Sequence, residues 1–213
     1  PGTAHIHGVH SAGPVDSVEQ VVAGAFSSSI LNDFMVRSSG LSNLYGPAFE
    51  NLAVNKSNRL WLSIAQKFLE LNCLTISYRN LWESVLERAW KVHSPARNAR
   101  DRFHAQNEID AMVALSLGVT LNELLMIYRT QFPVMRRYDQ EDLYDANGRK
   151  VPKEVLKLEK KLEDGQQLSE SDRTWTHPQS GVEYVFEYPF APLDRETDLA
   201  AAYEKYAAMM EQK

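Results

Sequence analysis

What this chain of 213 residues lacks narrows it first. It has one cysteine, Cys73. A single thiol cannot staple a fold, so the expectation is a reducing, cytoplasmic setting. No apolar run approaches the roughly 18 residues a membrane span needs, and no stretch of the chain resembles a signal peptide. Walker-type phosphate loops and the dinucleotide glycine fingerprint are missing. An excess of positive charge is missing too. Lys and Arg number 23 against 28 Asp and Glu, a formal charge of −5 with a pI near 5.7. Free-standing DNA-binding modules are more often basic, so nucleic-acid contact would have to run through a local patch. The first residue is Pro1 rather than Met. The expectation from this is a chain continued upstream, by a portion that holds the activity.

What is there is helical periodicity. The stretch Phe103 to Asp139 reads as two helices joined by a tight turn. Ile109, Met112, Val113 and Leu117 form one apolar stripe, and Gly118 ends the helix. Thr120 with Glu123 three residues on is a capping box for a second helix. That helix carries Leu121, Leu124, Leu125 and Tyr128 and stops before Pro133. Upstream, Asp16 caps a helix with Val18, Val21, Val22 and Phe26. Ser28 is expected to cap the next, with Ile30, Leu31, Phe34 and Met35 as its buried face, ending near Gly40. Residues 41–56 read as irregular, with Gly46-Pro47 as a turn. Ser57 is expected to begin a long helix whose period continues through Tyr78, Leu81, Trp82 and Val85. Residues 1–14 read as a connection from an upstream domain. Their His5, His7 and His10 could share a face as metal ligands or be plain exposed polar residues.

Beyond Asp139 the pattern changes. Asn147-Gly148 suits a hairpin turn in a small β-ribbon. Pro152 is expected to open a helix through about Glu163. Residues 169–176 read as a polar connection containing a short helical turn. Val182 to Tyr188 alternates as a strand with one aromatic face, expected to pair with the ribbon around Asn147. Asp194 caps a terminal helix with Leu199, Ala202, Tyr203 and Tyr206. The fold class implied is mainly α, a helical bundle with a small β hairpin in the C-terminal third. The domain reading is a connection over 1–14, a helical domain over 15–139 and a small α+β subdomain over 140–213.

Chemistry is sparse. A DNA methyltransferase needs an Asn/Asp-Pro-Pro-aromatic motif, and no two prolines here are adjacent. A metal-dependent nuclease needs clustered carboxylates with a lysine. Glu159-Lys160-Lys161 fits half of that pattern, but its charged surroundings read as a solvated helix face. Cys73, among Leu71 and Leu74, reads as core rather than nucleophile. Glu108 and Asp110 lie on different sides of a helix and make poor acid–base partners. No catalytic residue and no metal site is assigned. The densest basic stretch is Arg88, Lys91, Arg97, Arg100 and Arg102, broken by Pro95. It reads either as a solvated linker or as a phosphate-contacting patch, with Arg37 as a further DNA-binding candidate.

Several segments together resemble one family. SSSILNDFMVRSSGLSNLYGPAFENLAV supplies Leu31, Asn32, Asp33, Phe34, Arg37, Gly40, Leu44 and Tyr45. LELNCLTISYRNLWE over 69–83 and NEIDAMVALSLGVTLNELLMIYRTQFPVMRRYD follow in order, then DANGRKVP, THPQSG and the run from Pro189 to Glu196. From about Ser27 to Tyr203 this resembles the C-terminal region of type IIG-like bacterial restriction–modification proteins. These fuse an adenine-specific DNA methyltransferase to target recognition and often to an endonuclease. The resemblance implies a methyltransferase core upstream, with S-adenosylmethionine bound there and no cofactor in this segment. The family's catalytic residues have no matching positions here. The expected function is a non-catalytic C-terminal helical module that supports target recognition and DNA binding. Its expected partners are the upstream domains and double-stranded DNA. The alternative is a protein–protein docking module of a phage-defence complex without nucleic-acid contact.

Overall fold

The computed structural model describes residues 16–40, 50–55, 57–163 and 165–211. The expectations for the His5, His7 and His10 segment and for the Gly46-Pro47 turn lie outside these residues. Among the described residues the protein is mainly α, with one small antiparallel hairpin in the C-terminal third, as the periodicity implied. No described helix is long and apolar enough to cross a membrane. The chain divides into two compact units. One holds the described residues through Arg97, then Arg102–Pro133 and the chain from Arg195 on. The other holds Asn98–Asp101 and Val134–Asp194.

In the first unit, α1 (Ser17–Ser27) starts where the Asp16 carboxylate accepts the Val18 and Glu19 N–H groups, satisfying two donors that have no partner within the helix. Helix α2 (Ile30–Ser38) is capped by Ser29, not Ser28. Ser28 instead terminates α1, its hydroxyl donating to Ala25 O. Adjacent serines offer the same side chain, and a one-residue ambiguity is invisible to the pattern. Ile30, Leu31 and Asn32 are the buried residues of α2, while Met35 is 40% exposed, contrary to the expected apolar face.

Helix α3 (Trp61–Asn72) begins four residues later than Ser57, after the Asn58 carboxamide accepts the Leu60 N–H. It also ends sooner than expected. The chain breaks at Cys73–Thr75 and passes through one 3-10 turn (Ile76–Tyr78) into α4 (Arg79–Leu86). The period survives this break because both helices face one core: Val21, Ala65, Leu69, Cys73, Trp82 and Val85. Gly24 lets α1 approach α3 closely, since a Cβ there would lie 2.7 Å from Phe68 Cζ.

Helix α5 (Ala99–Leu117), the positive-φ Gly118, and α6 (Leu121–Gln131) form the expected hairpin, with the Thr120–Glu123 capping box in place. Every residue from Ile109 to Ala114 is buried, so this part of α5 is enclosed on all sides rather than along one stripe. Helix α6 stops before Pro133, as expected, but Pro133 does not end the helical structure. It opens a further helix, α7 (Pro133–Glu141), at a position where the missing N–H costs nothing.

In the second unit the chain reverses through Ala146-Asn147-Gly148, with Asp145 N–H on Arg149 O, Gly148 N–H on Asp145 O and Gly148 at φ 78°. Helix α8 (Lys153–Glu159) and the short α9 (Glu170–Arg173) follow. Strand β1 (Thr174–Thr176) pairs antiparallel with β2 (Glu183–Val185). Thus β2 does not pair with the turn at Asn147. That turn bonds the chain just after β2, through Ala146 N–H on Glu187 O and the Tyr144–Ala191 bridge. Val151, Val155, Leu168 and Phe186 form this unit's core. The terminal helix α10 (Arg195–Glu211) belongs to the first unit.

Candidate nucleic-acid interface

The basic stretch begins where α4 stops. Glu87 takes a left-handed φ of 51°, and the chain then runs without regular structure up to α5. Its path is set by α3. The last carbonyls of a helix have no partner within it, and they carry the negative end of its dipole. Here the basic stretch supplies those partners. Ala96 N–H donates to Glu70 O at 2.9 Å, and Arg102 Nη1 donates to Leu71 O at 2.8 Å. Trp90 Nε1 donates to Cys73 O at 2.9 Å, and Arg97 Nη2 donates to Leu74 O at 2.9 Å. Arg97 Nε also holds Val92 O. Of the candidate cations, Arg102 therefore caps the C-terminus of α3, and Arg97 ties Leu74, just past that end, to Val92.

Arg100 lies in the second unit. Its N–H donates to Gly148 O and its Nη2 to Ala146 O, each at 2.9 Å. The guanidinium packs so closely that a Cβ on Gly148 would lie 2.9 Å from Arg100 Nε. Asn98 fixes this region by accepting the Asp101 N–H at 2.8 Å. Arg37 forms a two-pronged ion pair with Asp33 one turn back, at 2.9 and 3.0 Å, and lies 4.9 Å from the Phe132 ring. The hydrogen bond with Asp33 raises its pKa further. Arg88 lies 5.2 Å from the Trp82 ring and 4.0 Å from Glu70, with half of its side chain exposed. Lys91 is exposed, and its ammonium has no partner among the described residues. Of the six candidates, Arg88 and Lys91 have the most unspent charge.

A polar network within the helical unit escapes the periodicity altogether. Asp110 is fully enclosed and accepts the Ile30 N–H at 2.9 Å, so a carboxylate from α5 caps α2. Burial pushes its pKa up to about 6, against the pull of that N–H, Arg195 and Gln106. Asn107 donates to Asp198 at 2.6 Å and accepts from Arg195, while His104 Nδ1 lies 2.8 Å from Asp198. Glu108 faces elsewhere, receiving Lys205 at 2.6 Å, Lys67 at 2.9 Å and the Tyr206 hydroxyl at 3.0 Å. Burial raises its pKa, but these donors outweigh burial and leave it lowered. Glu108 and Asp110 thus serve separate groups, as their spacing implied. A buried polar residue spaced like an apolar one is the only signal the sequence holds for this network.

Other candidate chemistry resolves into framework. Cys73 is buried and burial pushes its thiol up to about 11, so it stays protonated near neutrality. Glu159 accepts the Tyr188 hydroxyl. His177 sits in the turn joining β1 to β2, its Nδ1 facing the Gln179 and Ser180 N–H groups. Among the described residues no group of three or more His, Cys, Asp or Glu is placed to hold a metal ion. Comparison of the chain with protein-family models, curated proteins and solved structures finds no match.

Proposed function

We propose that this chain is a non-catalytic helical module of a type IIG-like restriction–modification protein or related DNA methyltransferase, supporting target recognition and weak, sequence-independent contact with duplex DNA. The observation that carries the reading is the ordered run of family-like segments from Ser27 to Tyr203. The roles of those residues fit a scaffold. Asn32 holds Phe26 O and both backbone groups of Ala53, Asp110 caps α2, Arg129 pairs with Glu196, and Asp145 pairs with Arg149. S-adenosylmethionine would belong to the upstream methyltransferase domain, and the upstream domains would be the module's covalent partners.

A salt titration of binding to duplex DNA tests this. Dissociation constants of about 10⁻⁴–10⁻⁶ M at physiological salt are expected, alike for unrelated sequences. Changing Arg88 and Lys91 together to Gln should weaken binding. It should also flatten the slope of log affinity against log salt by roughly 0.9 for each phosphate no longer neutralised. Absence of binding even at low salt would favour the second reading, a protein–protein docking module. One observation supports that reading: Leu74, Ile76 and Val92 are 38%, 59% and 67% exposed, and Arg97 ties the Leu74 and Val92 carbonyls together.

A further inference from the structure

Helix α8 has one face that the fold does not use. Val155 is buried in the second unit's core, with Leu156 and Leu162 packed against it. At about 100° per residue, Lys153, Lys157, Lys160 and Lys161 fall together on the opposite side, and all four are exposed. Lys160 is the C-cap and is still in helical conformation, and the Lys161 N–H donates to Leu158 O, so the face continues past the last helical residue. Glu154 stands at the edge of this face, and Glu159 points away to Tyr188.

The other cations of this unit each have a partner. Arg149 pairs with Asp145, Lys150 with Asp142 and Arg173 with Glu187. Arg100 holds backbone carbonyls, Arg137 stacks on Tyr138, and Arg136 also has a partner. The four lysines have no carboxylate or carbonyl partner among the described residues. Like charges one turn apart repel, a cost that an anion outside the chain would relieve. We propose that this lysine face docks the phosphate backbone of duplex DNA. The assignment rests on the module reading for the identity of the polyanion. Apart from Leu158, the apolar side of α8 packs on the core, which leaves little to enter a bilayer and favours an extended polyanion over a lipid surface.

The test compares binding of the whole chain to a fluorescent DNA duplex across salt concentrations. One variant changes all four lysines to Gln, a second changes all four to Arg, and a third changes Arg88 and Lys91 to Gln. The glutamine variant should bind at least about tenfold more weakly at low salt, its slope flattened by roughly 0.9 for each phosphate left without its lysine. The arginine variant should bind like the native chain, which separates a loss of charge from a loss of fold. Unchanged binding by the glutamine variant overturns the lysine face. If the Arg88 and Lys91 variant is then the one that weakens, the module reading survives. If the native chain binds no duplex, both fall. Loss of binding to phosphatidylserine vesicles or polyglutamate, with duplex binding unaffected, also overturns the proposal.

Discussion

Asp110 is an acid enclosed in a helical core, and its place there has a measurable consequence. Folded, it holds its proton up to about pH 6, whereas its ordinary value is 3.8. Between these values the folded state binds more protons than the unfolded one. Its contribution to stability is therefore complete below the lower value and is lost as pH rises through the higher. Glu108 works the other way, its contribution present above 4.5 and lost as pH falls. Between pH 4.5 and 6 a loss of stability therefore belongs to Asp110 rather than Glu108. Urea melts across this range should show the native protein losing on the order of 1–3 kcal/mol. Asp110→Asn keeps an acceptor for the Ile30 N–H and should remove that loss, and equal slopes for the two proteins would refute the assignment. Residues of this kind are hardly legible in the sequence. Asp110 and Asn107 lie on a helix whose apolar stripe is plain, but a polar side chain reads as surface until a distant N–H or carboxylate is placed against it. The arginines between 88 and 102 are legible as charge. That Arg102 spends it on the end of α3 and Arg97 on carbonyls just beyond depends on where the chain folds back, which spacing does not encode.

At the scale of elements, the hairpin of α5 and α6 shows which local signals carry through. Leu124 is fully buried, while Leu117 is only partly so. Leu124→Ala should cost roughly 2–5 kcal/mol, the range for an emptied core site. Leu117→Ala should fall below it, and Thr120→Ala, which removes one side of the capping box, should cost about 1 kcal/mol. Chemical denaturation of the three variants checks the order, and a Leu124 change as mild as the cap change would show that the hairpin is not the centre of the core. Capping residues and glycines mark these ends well because their effect is local: Asp16, Gly118 and Thr120 act on the adjacent turn. Two elements are not legible for the opposite reason. Helix α7 lies behind Pro133, a residue that stops one helix and opens another with equal ease. Strand β1, Thr174–Thr176, is three residues long and exists through its pairing with Thr176↔Glu183 and its neighbours. A strand so short has no period of its own to read.

For the whole molecule, a net charge of −5 limits what a DNA-contacting surface can do. Acids outnumber bases, so attraction to a duplex has to come from a face where cations go unanswered, and distant charges are screened within about 10 Å at 0.1 M salt. Such a surface can hold a backbone without reading bases, as the proposed supporting role requires. Catalysis on DNA asks for more. Methyl transfer needs a donor loop and a motif that grips the target amine, and metal-assisted cleavage needs carboxylates gathered around an ion. The chain has neither the glycine-rich loop nor adjacent prolines. Among the described residues the enclosed acids are committed elsewhere, Asp110 to the N-terminus of α2 and Asp145 to Arg149. Incubation of the chain with duplex DNA, S-adenosylmethionine and magnesium should leave the DNA unmethylated and uncut, even at one protein per duplex. Mass spectrometry of the digested nucleosides and gel electrophoresis of the intact duplex read the two outcomes separately. Reproducible methylation would mean that a donor site exists without the known loop. Reproducible cleavage that disappears with a chelator would place a metal among carboxylates that here serve the fold.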